Sequence, residues 1–218
     1  MLVKICGLCR PHDAAVAADA GATHAGVIRV PGAARWRPPE AARAVLDAAP
    51  GVRRVGVFAD AGRVAILAEA SSLRLDVIQL HGDEPPEAVA ALRSAGLEVW
   101  KAVKPTGADA LLEAAGRYAE ADLLLVDGAS PRGMGGVGAR FDRAALSATR
   151  DRLPPDTRLG LAGGLGPDDV GEAIRRFRPA LVDVSSGVES RVGEKDEDRV
   201  RAFVAHALEA EPDLEPEP

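Results

Sequence analysis

The chain has 218 residues, 47% hydrophobic but only 3% aromatic, with a formal net charge of -6. One domain is expected, since α/β barrels of roughly 200 to 250 residues stay undivided, and its core must rest on Ala, Val, Leu and Ile. Five of the negative charges, Glu209, Glu211, Asp213, Glu215 and Glu217, fall in the last ten residues, so the body is near -1 and lacks the basic stripe that nucleic-acid binding requires.

The composition divides the chain into a body at 1–208 and an acidic, Pro/Glu-rich tail at 209–218 that reads as solvated and disordered. No apolar stretch reaches about 18 residues, and Lys4 and Arg10 are followed by no leader-like apolar run, so neither membrane nor export is expected. Two cysteines, Cys6 and Cys9, are too few and too close for a disulfide scaffold, which points to a reducing cytoplasm.

Short aliphatic runs predict eight strands, at 2–6, 24–28, 53–58, 76–80, 98–103, 122–127, 158–162 and 181–185. Stretches with helical spacing separate them. Val170, Ala173, Ile174 and Phe177 form one apolar stripe after Pro167, which suits a first helical position. Val200, Phe203, Val204, Ala207 and Leu208 form another in the last helix. Apolar strands alternating with helices eight times predict a parallel sheet closed into a (β/α)8 TIM barrel. An open doubly wound sheet is the rival, but its first turn is usually glycine-rich, whereas Lys4-Ile5-Cys6-Gly7 offers one glycine. The longest connection, 128–141, is glycine-rich and suits a mobile lid.

Active sites of such barrels form where strands end, so polar residues closing apolar strands carry the functional signal. Lys4 and Cys6 share one face of the first strand, as do Asp183 and Ser185 on the eighth. With Asp127 closing the sixth strand, Cys6 supplies a thiol and Asp127 a carboxyl that together make an acid/base pair. The Lys4 ammonium is expected to favour the Cys6 thiolate, and partial burial the protonated Asp127. Taken singly, Cys6 also fits an inert core thiol and Asp127 a helix cap. A metal site at Cys6 and Cys9 lacks two further ligands, so none is expected.

Gly163 and Gly164 after the seventh strand, and Ser185, Ser186 and Gly187 after the eighth, both lead towards helices and offer backbone N–H groups to an anion. Those two loops commonly hold phosphate in barrels. Arg35 suits a substrate carboxylate or a solvated surface, and His81 a substrate contact or a structural hydrogen bond.

These motifs together resemble a known family. KICGL at 4–8, GVFAD at 56–60, QLHGDE at 79–84, LLVDG at 124–128, GGVGARFD at 135–142, LAGGLGPDDV at 161–170, and DVSSGVE with GEKD across 183–196 are similar, in order, to the motifs of phosphoribosylanthranilate isomerases. The resemblance spans residues 2 to 206. It implies a cofactor-free Amadori rearrangement of a small phosphorylated substrate in tryptophan biosynthesis, by a monomer or homodimer. Asp127 would be the general acid and Cys6 the general base. Lys4, Arg35, His81 and Asp183 would contact substrate, with Arg35 on the anthranilate carboxylate and Asp183 on its amino group. Gly163, Gly164, Ser185, Ser186 and Gly187 would bind phosphate.

The chain departs from the family pattern at Cys9, Ala33 and Val137, where hydroxyl residues are usual, and at Arg29, where an apolar residue is usual. Each lost hydroxyl is expected to weaken a hydrogen bond by about 0.5 to 1.5 kcal/mol. Other phosphosugar barrels fit less well. An epimerase needs metal-binding histidines that His12, His24, His81 and His206 do not provide at strand ends, and a histidine-pathway isomerase needs aspartates where Cys6 and Val103 stand. A phosphosugar isomerase with altered substrate, or a non-catalytic phosphate-binding barrel, remains the alternative.

Overall fold

The computed structural model describes residues 1–128, 149–150 and 152–210. The expected lid beyond Gly128, with Val137, and the tail from 211 onward lie outside the described residues.

The chain runs β1 (Leu2–Ile5), α1 (Pro11–Asp19), β2 (His24–Ile28), α2 (Pro39–Asp47), β3 (Arg53–Phe58), α3 (Arg63–Leu73), β4 (Val77–Leu80), α4 (Pro86–Arg93), β5 (Glu98–Val103), α5 (Ala108–Arg117) and β6 (Leu123–Asp127). It continues through β7 (Leu159–Ala162), α6 (Val170–Phe177), β8 (Leu181–Val184), a hairpin of β9 (Glu189–Arg191) and β10 (Glu194–Lys195), and α7 (Glu197–Glu209). Strands β1 to β8 close a parallel barrel in sequence order, with β8 returning onto β1. The eight expected runs match these strands to within one residue at either end.

The strands read as nearly continuous apolar runs because both faces are buried. Side chains alternate, so Val55, Val77, Trp100, Ala102, Leu123, Leu125, Ala162 and Leu181 fill the barrel as one cluster. Their neighbours, among them Ile5, Ile78, Leu80, Leu124, Val126 and Val182, face the helices in a second cluster. Proline at the start of α1, α2 and α4 presets the first helical turn, where its missing N–H costs nothing.

Two helix expectations need correction. The stripe Val170, Ala173, Ile174 and Phe177 is buried on α6, but Pro167 stands in the preceding turn instead of the first helical position. There the Asp169 carboxylate accepts from Gly166 N–H at 2.7 Å and sets the helix start later. On α7, Val200, Phe203, Val204 and Ala207 are buried, but Leu208 is 43% exposed. It lies at the edge of the stripe beside Gly21, whose missing side chain leaves it uncovered. Helix α7 also runs through Glu209 to a buried Ala210, beyond the expected boundary at 208.

The floor of the barrel holds a polar group. His24 opens β2, stacks at 5.0 Å on Trp100 and shares a hydrogen bond from Nδ1 to Thr23 Oγ1 at 2.8 Å. Its Nε2 is buried without a partner among the described residues. Burial, and then the nearby Arg53 charge, lower its pKa from 6.5 to about 4. An unfolded chain therefore takes up a proton below pH 6.5 that the folded ring refuses until about pH 4, so His24 costs stability as pH falls through that window. Thermal midpoints followed across the window should fall less steeply in His24→Gln than in the parent protein; equal slopes would show that the ring protonates freely in the fold.

Candidate active site

The C-terminal ends of the strands surround a cavity of about 350 Å³. Cys6, Arg35, His81 and Asp127 reach it from the ends of β1, β2, β4 and β6. Gly163, Gly164, Asp183, Ser185, Ser186 and Gly187 line its other rim. Of the expected site residues, only Lys4 does not line the cavity; it lies fully buried beneath it.

Lys4 and Cys6 do share the inner face of β1. Gly26 on the adjoining β2 makes room for them, since a Cβ there would sit 2.9 Å from Lys4 Cε and 3.2 Å from Cys6 Sγ. The Lys4 ammonium, however, is engaged by Asp183 Oδ2 at 2.9 Å. Burial works against the Lys4 charge, but Asp183 and Cys6 outweigh it and hold its pKa up. For Cys6 the balance is opposite to the expectation. Burial raises the thiol's pKa, the nearby Asp183 charge adds to that, and the downward pull of Lys4 and Lys195 does not offset them. The resting group is a neutral thiol.

Asp127 is corrected in the other direction. Burial favours its protonated form, but a hydrogen bond from His81 Nε2 at 3.0 Å, Lys104 Nζ at 3.8 Å and the Gly128 backbone together hold its pKa below the usual carboxylate range. Its resting form is the carboxylate. Behind His81, Gln79 Nε2 lies 3.0 Å from Nδ1, which gives a chain from Gln79 through His81 to Asp127. The turn carrying His81 is fixed from below. Glu84 accepts from the N–H groups of Asp60 and Gly82, while the buried Lys101 ammonium binds Glu84 at 2.9 Å and Gly82 O at 2.6 Å.

Gly163 is required beside Asp127. Its φ is +83°, and a Cβ would sit 2.3 Å from Gly128 N and 2.4 Å from Asp127 Oδ1. Gly164 follows at φ +69°, so two successive residues take the left-handed conformation that glycine adopts without strain. Gly187 is equally constrained, because an added Cβ would lie 1.9 Å from Leu165 O and would drive the seventh and eighth loops apart. The eighth loop departs from expectation in one respect: it passes through a short 3-10 turn, Ser186–Val188, and the β9–β10 hairpin before reaching α7.

That hairpin holds Arg35. Glu189 grips its Nε at 2.7 Å and Nη2 at 2.6 Å, and Lys195 Nζ backs Glu189 at 3.1 Å and Ser185 O at 3.0 Å. Arg35 is thus a fixed cation at the cavity rim with one edge already occupied. Among the departures, the Cys9 thiol donates towards Gly7 O at 3.5 Å and Arg35 O at 3.4 Å. Arg29 is buried with its guanidinium on Glu69 at 2.5 and 2.9 Å and on Arg37 O at 2.6 Å, which ties down the loop carrying Arg35. Ala33 lines the cavity without a polar group.

Sequence reasoning passed over Gln79, Lys104, Glu189 and Lys195. The period of two that placed Lys4 with Cys6 also places Gln79 with His81 on one face, so that residue was detectable. Glu189 and Lys195 meet only through the hairpin, for which the chain offers no strong local signal.

The family model for N-(5'-phosphoribosyl)anthranilate isomerase matches residues 3–206. The chain is 42% identical over 211 residues to the N-(5'-phosphoribosyl)anthranilate isomerase of Rhodospirillum centenum, covering 94% of this chain and 97% of that one. Among solved structures, phosphoribosyl anthranilate isomerase from Thermotoga maritima superposes with a TM-score of 0.84 at 37% identity, covering 96% of this chain and 99% of the other. Another solved isomerase, in complex with reduced 1-(o-carboxyphenylamino)-1-deoxyribulose 5-phosphate, superposes with a TM-score of 0.82 at 36% identity, covering 96% and all of the two chains. With the closed barrel and a cavity at its strand ends, these matches show that the chain belongs to the N-(5'-phosphoribosyl)anthranilate isomerase family.

Proposed function

We infer that this barrel converts N-(5'-phosphoribosyl)anthranilate to 1-(2-carboxyphenylamino)-1-deoxyribulose 5-phosphate, the Amadori rearrangement of tryptophan biosynthesis. The observation that carries the assignment of roles is that one cavity joins a thiol, a carboxyl and the Gly163–Gly164 and Ser185–Gly187 loops. The phosphate lies on the Gly163–Gly164 and Ser185–Gly187 loops. Arg35 faces the anthranilate carboxylate with the edge that Glu189 leaves open, and Asp183 takes the amino group through Oδ1, a buried acceptor without a partner among the described residues. His81 contacts the ligand beside Asp127, and Lys4 acts from beneath by orienting Asp183.

The chemistry is two proton transfers. Asp127 protonates the ring oxygen as the C1'–O bond breaks, which leaves a protonated Schiff base. Cys6 removes the C2' proton, and the electron pair moves into the C1'–C2' bond to give an enolamine. Tautomerisation to the ketone completes the reaction, and the steps need neither a redox partner nor a metal. Because the free site rests as Cys6 thiol and Asp127 carboxylate, the working form has the same proton count with one proton shifted from sulfur to carboxyl. The residues named come from one chain, which suits a monomer or a homodimer. Two unpaired thiols, Cys6 and Cys9, suit a reducing compartment such as the cytoplasm.

Cys6→Ser and Asp127→Asn should each lower turnover by about 10²- to 10⁴-fold with the fold retained, the usual reach of a single acid or base. Undiminished turnover in either variant would refute that residue's role. The intact gene should restore growth without tryptophan to an auxotroph lacking this isomerase, and failure to do so would refute the reaction. The pH profile of kcat/KM, corrected for the substrate phosphate, should be a broad bell. Its acid limb belongs to Asp127, below the usual carboxylate range, and its alkaline limb to Cys6, above the usual thiol range. A narrow bell centred between a raised carboxyl and a lowered thiol would contradict these protonation states.

A further inference from the structure

Gln79 has no part in the reaction steps above, yet it stands in the cavity wall. It is 1% exposed, and its Oε1 is buried with no hydrogen-bond partner among the described residues. A buried amide oxygen left unpaired is costly, so its retention at a ligand cavity implies that a bound molecule completes it.

The orientation of that amide is dictated by its neighbours. Asp127 as carboxylate can only accept, so His81 Nε2, 3.0 Å from Oδ2, must donate. The other ring nitrogen, Nδ1, lies 3.0 Å from Gln79 Nε2. That contact engages the Gln79 NH₂ and leaves Oε1 to find a donor elsewhere. Gln79 thus holds an unpaired acceptor in the wall of the cavity, and only a hydrogen-bond donor can satisfy it.

For the substrate assigned above, the carboxylate, phosphate and ring oxygen are acceptors, and the amino group belongs to Asp183. The sugar hydroxyls are the donors that remain. We propose that Gln79 is a specificity-determining residue whose Oε1 accepts from one sugar hydroxyl, with the Asp127–His81 pair fixing the amide in the accepting orientation. The inference rests on the reaction assigned above, and it links recognition of the sugar to the general acid through a single hydrogen-bonded chain.

The test measures dissociation constants of the full-length protein for reduced 1-(o-carboxyphenylamino)-1-deoxyribulose 5-phosphate and for three congeners that each lack one chain hydroxyl. One congener should bind the parent protein about tenfold more weakly than the complete compound, the scale of one lost hydrogen bond. In Gln79→Met, that congener and the complete compound should bind alike. A Gln79→Glu variant keeps an acceptor towards the cavity and should keep the discrimination, which separates hydrogen bonding from a packing role. Discrimination unchanged in Gln79→Met, no discrimination by the parent protein, or its loss in a folded Gln79→Glu would each overturn the inference. Should the Met variant not fold, Gln79→Leu takes its place, with the same expected result and the same contrary one. Normal turnover without hydroxyl coupling would sink this inference alone, whereas absence of both turnover and binding would sink the assigned reaction with it.

Discussion

Lys4 and Asp183 meet across the seam where β8 returns to β1, in direct register and 2.9 Å apart, with side-chain exposures of 0% and 7%. Removing two charges from water costs several kcal/mol for each ion, and close pairing offsets that only if the geometry holds. The seam is therefore strongly specified. A slip of one residue between β1 and β8 would strand both charges and turn Cys6 and Ser185 away from the cavity. By holding the two strands in step, the pair keeps a thiol at the end of one beside the Ser185–Gly187 loop at the end of the other. Burial keeps the Cys6 thiol, two residues beyond Lys4, protonated although the neighbouring Lys4 charge pulls the other way.

The site thus holds its proton on the Cys6 thiol, the group proposed above as base. Asp127, the proposed acid, is meanwhile held ionised by His81, Lys104 and the Gly128 backbone. This arrangement keeps a reactive thiolate out of the resting protein, and the ionised Asp127 anchors a chain through His81 to Gln79 that ends in an unpaired amide oxygen in the cavity wall. Behind it the Lys101–Glu84 pair holds the His81 turn, and Glu189 with Lys195 holds Arg35. Asp183, the His81 turn and Arg35 are thus each braced by an ion pair, which suits the preorganised geometry a reacting centre needs.

The positions of Cys6 and Asp127 at the cavity were legible in the chain because strand periodicity fixes which residues share a face, and apolar runs fix where a strand ends. Lys4, Cys6, Asp127 and Asp183 were found that way, and the double glycine at 163–164 announced its turn. The protonation states were not legible. They depend on contacts such as Lys4 with Asp183, 179 residues apart, and His81 with Asp127, 46 apart, whose strengths no local pattern encodes. Leu208 and Pro167 misled for a related reason, since helical periodicity says which residues align but not where a neighbour stops covering them or where an Asp169 turn delays the helix. Glu189 escaped because a hairpin, unlike the barrel, follows no repeat.

The central claim is that the free enzyme rests with Cys6 as a thiol beside an ionised Asp127. It is tested most directly by thiolate ultraviolet absorbance, titrated as the difference between a Cys9→Ser protein and a Cys6→Ser/Cys9→Ser protein. The account predicts no Cys6 thiolate at neutral pH and ionisation only above the ordinary thiol range. A thiolate signal at neutral pH in the ligand-free protein would contradict it.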